Sequence, residues 1–179
     1  MNKTITNPVV NDQVTFTQTA KETGGRITAL LVTLMPGGGT PMHYHKQFAE
    51  SFAVVEGELT IWLNKEKMVL RQGHKYTVEK NVMHRFCNTS GLPVVFTTVI
   101  MPGSSGFEHA LRILYGLAQD GATDSKGRPK SLKTLAVISK MSDLHPTGIL
   151  RLFTPLFGLL NRQAEKEGCR EALLRKYCS

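Results

Sequence analysis

The sequence predicts a mainly β protein, an antiparallel sandwich or barrel that carries a helical appendage. Three observations lead there. Residues 13–102 fall into short runs rich in β-branched and aromatic residues, with turn signals at short, fairly even spacing and no helical pattern between them. After Pro102-Gly103 the apolar period becomes that of a helix. Charge changes near the same place: residues 1–125 hold 11 Lys+Arg against 10 Asp+Glu, whereas residues 126–179 hold 11 against 4.

Taken in order, Val14–Thr17 alternates, and Arg26–Met35 is rich in Ile, Leu, Val and Thr. Leu59–Leu63 follows Gly57, and Val94–Met101 is a long β-branched and aromatic run. The punctuation between them includes Pro36-Gly37-Gly38-Gly39, Glu56-Gly57, Asn64-Lys65, Gln72-Gly73 and Ser90-Gly91. With no helical crossovers, a parallel sheet is excluded in favour of antiparallel strands. Beyond Gly103, Phe107, Ala110, Leu111, Leu114, Leu117 and Ala118 make an amphipathic helix ended by Asp120-Gly121. Gly121–Ser131 is small, polar and basic, and reads as a mobile loop. A second helix spans about Leu132–Met141. Ile149–Leu160 then carries two apolar stripes, Leu150, Phe153, Phe157, Leu160 and Ile149, Leu152, Leu156, Leu159, with Pro155 expected to kink it. A helix so apolar around its circumference needs a cover.

A length of 179 residues fits one domain, or one domain with an appendage, and buries a core without disulfide staples. Hydrophobic content of 41% with 20% charged residues excludes disorder and collagen-like repetition. No apolar stretch reaches the roughly 18–20 residues of a spanning helix. The start, Met-Asn-Lys-Thr-Ile-Thr-Asn-Pro, has no apolar core, so no secretory signal is expected. Three widely spaced cysteines, Cys87, Cys169 and Cys178, fit a reducing cytoplasm better than a disulfide framework. The net charge of +8 belongs to the C-terminal third, which is most apolar where a recognition helix would need polar side chains. No nucleic-acid partner is therefore expected.

The chemistry concentrates between Gly37 and Asn88. On a strand, residues i and i+2 share a face, so His43 and His45 project together. Glu50, five residues on, can return to the same point after a short bend, and His84 lies on a later strand. Three imidazoles and one carboxylate suit a divalent first-row transition metal, Fe, Mn, Ni, Cu or Zn, better than Mg²⁺ or Ca²⁺, which want all-oxygen shells. Four protein ligands on an octahedral ion leave two positions for water, substrate or O₂.

The spacing Gly37-x5-His43-x-His45-x4-Glu50-x6-Gly57 resembles the first motif of the cupin superfamily at every fixed position. Of the second motif Gly73, His84 and Asn88 match, while the family's usual Pro and second Gly are Glu79 and Asn81 here. The resemblance covers about residues 25–102 and is to small single-domain bacterial cupins with a germin-type metal motif and a helical C-terminal extension. It implies a double-stranded β-helix, or jelly-roll, barrel over residues 1–103, followed by two to four helices over 104–179. It also implies one metal ion per chain on His43, His45, Glu50 and His84, and homodimerisation.

Two functions are compatible with that site. One is a metal-dependent enzyme resembling cupin dioxygenases such as quercetinase and acireductone dioxygenase, acting on a small oxygen-bearing substrate with Glu50 as ligand and catalytic base. Isomerase or decarboxylase chemistry would use the same residues. The other is a non-catalytic barrel that binds a small ligand or metal as sensor or scaffold. Alternation places Leu59, Ile61, Leu63 and Phe86 on the ligand-bearing side, with Phe48 beside Glu50, so Phe48 and Phe86 are the candidate pocket walls. Cys87 is expected to point outward, and His74, His109 and His145 to be ordinary polar or surface residues. The apolar tail is expected to pack on the barrel or across a dimer, with contact to a membrane surface as the lesser alternative.

Overall fold

The computed structural model describes residues 3–179, the side chains of Ile149 and Leu150 excepted. The strands are β1 (Thr4–Asn7), β2 (Asp12–Gln18), β3 (Thr28–Leu34), β4 (His43–Tyr44), β5 (Ala49–Glu56), β6 (Glu58–Leu63), β7 (Glu66–Arg71), β8 (Lys75–Val78), β9 (His84–Cys87) and β10 (Val94–Met101). The helices α1 (Ser105–Gln119) and α2 (Leu132–Met141) follow, then strand β11 (His145–Pro146) and helices α3 (Thr154–Lys166) and α4 (Cys169–Tyr177). All the pairings are antiparallel, in one sheet of order β1-β2-β3-β10-β5-β8 and a second of order β11-β4-β9-β6-β7. The architecture is the expected mainly β jelly roll with C-terminal helices.

Period-2 alternation drives the two sheets together. β3 buries Thr28, Leu30, Val32 and Leu34 and turns the residues between them outward, and β10 does the same with Val94, Phe96, Thr98 and Ile100. Phe16, Phe52, Leu59 and Ile61 complete the inter-sheet core, each contributing about 1.5–3 kcal/mol by leaving water. Gly57 turns β5 into β6 with a φ of +82°, and a Cβ there would lie 2.9 Å from the Pro93 carbonyl oxygen. Only glycine meets both conditions.

Helix α1 docks on the barrel through Phe107, Leu111, Leu114 and Tyr115. Ser104 caps it, its hydroxyl accepting from the Phe107 N–H. In its first turn the buried Glu108 carboxylate accepts from the Ala20 N–H at 2.6 Å and the Thr28 hydroxyl at 2.5 Å, so one side chain ties the helix to two parts of the barrel. The α3 helix packs on α2, and α4 packs on α1 with Tyr177 over Gly116, where a Cβ would collide with the ring. Between α1 and α2 the loop is closed on itself by Asp124, which accepts from the Lys126 and Arg128 N–H groups.

The C-terminal part departs from expectation in two respects. It is not purely helical: β11 returns to the barrel and pairs with β4, Tyr44 opposite His145 and His43 opposite Pro146. Pro155 does not kink a helix. Gly148–Phe153 is a 3₁₀ helix, and α3 begins at Thr154 with Pro155 in its first turn, where a missing N–H costs nothing. Of the two predicted stripes, Ile149 and Leu150 lie outside the described side chains. Phe157 and Leu160 are half-buried, whereas Leu152, Phe153, Leu156 and Leu159 are exposed. No helix among the described residues is long and apolar enough to cross a membrane.

Candidate metal centre

Register brings the four predicted ligands together. His43 on β4 stands directly opposite His84 on β9. His45, two residues on, shares its face, and Glu50 comes from β5 of the facing sheet. The cage therefore spans both sheets. Their ligand atoms lie within 4.8 Å of one another, and all four residues are buried. Asn81 shows how the departure from the family's second motif is absorbed. It takes the left-handed conformation (φ +65°) that glycine would supply, and its N–H donates to the His45 carbonyl at 2.7 Å.

Each imidazole is anchored through Nδ1 to a backbone carbonyl: His43 to Pro41 at 2.7 Å, His84 to Val82 at 2.9 Å and His45 to Asp143 at 3.0 Å. A carbonyl only accepts, so these contacts place a proton on Nδ1 of each ring and direct Nε2 inward. Inside the cage, His43 Nε2 faces His45 Nε2 at 3.1 Å. The Glu50 Oε2 atom lies 3.1 Å from His84 Nε2 and 3.7 Å from His45 Nε2. Two nitrogen lone pairs so close to each other and to a carboxylate repel unless a cation lies among them. Carbonyl-anchored imidazoles are also the arrangement that metal-binding histidines adopt. The donor set thus fits a metal ion, and these four residues can hold one.

The bend that returns Glu50 to the histidines is held by a residue the sequence analysis passed over. Asp143, between α2 and β11, accepts from the Lys46 N–H at 2.6 Å and the Gln47 N–H at 2.7 Å through one carboxylate oxygen. Its other oxygen lies 2.9 Å from His145 Nε2, and its backbone carbonyl is the anchor of His45. The His145 ring stacks on Tyr44 with centroids 5.0 Å apart. His145 is therefore part of a strap laid against the ligand strand, not an ordinary surface histidine.

Of the two aromatic candidates, Phe48 touches the site. Its ring lies 4.3 Å from that of His45 and meets Phe107 of α1 edge-on. Phe86 packs instead with Phe52 and Phe96 in the apolar core, and Phe52 reaches His84 at 6.5 Å between centroids. A cleft of about 700 Å³ opens nearby, lined among others by Met42, Leu63, Tyr76, Val82, Met83 and Thr147. Met42 and Met83 immediately precede ligands His43 and His84, and the lining includes none of the four ligands.

Electrostatics treat the ligands differently, disfavouring a proton on His43 and Glu50 and favouring one on His84. Burial, with the neighbouring His84 and His45 charges adding to it, lowers the His43 pKa to about 4. For Glu50, burial alone would raise the pKa, but the neighbouring His45 and His84 imidazoles outweigh it and hold the group well below the usual carboxylate range. Burial likewise opposes protonation of His84, yet the hydrogen bond to Glu50 and its charge outweigh that and raise the pKa. Metal-free protein should consequently lose stability as pH falls from about 6.5 to about 4, because the unfolded chain protonates His43 there and the folded chain does not. His84 acts in another window: its stabilisation is complete below its ordinary value of 6.5 and disappears as pH rises past its raised folded value. Thermal melts of chelator-treated protein across pH 4–7 test the acid limb, which should flatten in His43→Gln. An identical limb in that variant would show the cause to lie elsewhere.

Two packed antiparallel sheets with three inward imidazoles and one carboxylate define a metal-site jelly roll. Residues 30–100 match the family model described as Cupin domain, and this part of the chain is a cupin domain. No curated protein matches the chain. Among solved structures it is similar to KdgF from Halomonas sp., with 18% identity over 52% of this chain and 81% of that one, at a TM-score of 0.47. A predicted oxalate decarboxylase from Thermotoga maritima is 17% identical over 51% and 80% of the two chains, at a TM-score of 0.49. A sugar phosphate isomerase of the cupin superfamily from Silicibacter pomeroyi is 20% identical over 56% and 71%, at a TM-score of 0.48.

Proposed function

We propose that the chain is a metal-dependent enzyme, dioxygenase-like, acting on a small oxygen-bearing substrate. The observation that carries this reading is the convergence of three carbonyl-anchored imidazoles and the Glu50 carboxylate on one point. A divalent first-row ion there supplies Lewis acidity and a template for O₂. The residues do the rest. Phe48 and the apolar core beside His84 keep bulk water from the ligand side. Glu50, the one carboxylate of the set, is the group proposed to take a proton from a substrate hydroxyl. The cleft beside Met42 and Met83 has the size of a small-molecule site, and its lining mixes apolar side chains with Asn64, Lys65, Glu66 and Thr147.

A second reading, a non-catalytic metal- or ligand-binding barrel, draws support from the burial of all four ligands and from a cleft lining that contains none of them. The experiment that separates the two loads chelator-stripped protein with Fe(II), Mn(II), Ni(II), Cu(II) or Zn(II) in turn. Oxygen consumption is then followed with a panel of small α-hydroxycarbonyl and enol compounds. Metal-dependent turnover supports the enzyme, and its loss in a Glu50→Gln variant that still holds one equivalent of metal supports the base. Stoichiometric metal without turnover in any loading supports the binding barrel, and turnover intact in Glu50→Gln removes the base role.

A further inference from the structure

We infer that the C-terminal helices dock on an anionic lipid surface through Leu152, Phe153, Leu156 and Leu159. These four side chains are 76%, 48%, 46% and 63% exposed, although the opposite face of α3 is well used: Asn161 and Ala164 are buried and the helix packs on α2. On α3, Leu156 and Leu159 share one side, and Arg162 and Lys166 continue that side three and seven residues beyond Leu159.

Charge decides what covers the face. The tail's acids are largely committed: Asp143 to the Lys46–Gln47 bend, Glu165 to Lys140 and Glu167 to Lys133. Arg151, Arg162, Lys166 and Arg175 are exposed and make no ion pair among the described residues. The basic excess is confined to this part, since residues 1–125 carry 11 basic against 10 acidic groups. A two-fold contact between copies would lay the same basic rim against itself, which repels. A negatively charged bilayer accepts both the apolar side chains and the cations around them. With 13 residues α3 is roughly 20 Å long, so it lies along the surface and does not span it.

The test is co-sedimentation of the full chain with phosphatidylcholine vesicles, with and without about 30% phosphatidylglycerol. Wild-type protein is expected to pellet only with the anionic vesicles and to be released in about 0.5 M NaCl. Both Leu156→Glu/Leu159→Glu and Arg162→Glu/Lys166→Glu should lower the bound fraction by about tenfold or more. All four positions are exposed, so each variant should melt as wild type does, which checks that the fold is intact. Wild type remaining in the supernatant overturns the inference, as does undiminished binding by the leucine variant. Light scattering that shows a dimer split by Leu156→Glu/Leu159→Glu also overturns it, assigning the face to a second copy of the chain.

Discussion

Replacing His43 and His45 together by alanine is expected to abolish stoichiometric binding of divalent transition metal, while the wild-type chain takes up close to one equivalent after chelation and reloading. Each histidine contributes an inward Nε2, and the pair facing at 3.1 Å is the part of the cage most dependent on a cation. The stability readout is separate from the metal count. An ion present at a hundred times its dissociation constant stabilises by about 2.7 kcal/mol, roughly 5–10 °C in melting temperature for a chain of this size. The gain should be large enough to see because the ligands join strands of both sheets, and it should vanish in the double variant. Mass spectrometry for metal and melting curves with and without chelator make the comparison. A wild-type melting temperature indifferent to both ion and chelator would mean that the four side chains do not act as one site.

Asp143→Ala should weaken metal binding by about 10–100-fold without touching a ligand, the range in which groups supporting metal ligands act. The substitution frees the Lys46 and Gln47 N–H groups, releases His145 and loosens the carbonyl that orients His45. It also places alanine in a left-handed backbone position, φ +49°, which costs about 1–2 kcal/mol. Asp143→Asn separates these effects. Asparagine tolerates that conformation and keeps one accepting oxygen, so it should recover much of the affinity. Titration of the stripped proteins with metal, read by competition with a chromophoric chelator, gives both numbers. If alanine binds metal as tightly as aspartate, the bend holds its shape unaided.

These two predictions also mark what could be read from the sequence. The cage was legible because its geometry follows from local rules: strand parity puts His43 and His45 on one face, and the motif spacing supplies Glu50 and His84. Helix α1 was legible from its apolar period and its stop at Asp120-Gly121, and α2 was expected at about Leu132–Met141, where it lies. Asp143 was not, because it stands 98 residues from His45 and acts partly through its backbone carbonyl, which every residue possesses. Pro155 shows the opposite error: a proline inside an apolar run reads as a kink, but Gly148 and the 3₁₀ turn had already ended the preceding segment. Phe86 was placed on the correct side of its strand. Parity cannot say how far along the barrel axis a side chain sits, and Phe86 packs in the core with Phe52 and Phe96.

The pairing of β11 with β4 also bears on assembly. A strand at the border of a sheet offers free N–H and C=O groups that another chain can zip onto, and β4, which carries a metal ligand, would otherwise be such a border. The covering strand is only two residues long and ends in Pro146, which has no N–H to extend a ladder. Growth of aggregates by strand addition at this border is thus blocked by the same segment that steadies His45. A variant that unclasps the strap would lose metal affinity and gain a sticky margin in one stroke, so precipitation on standing should accompany the loss of metal.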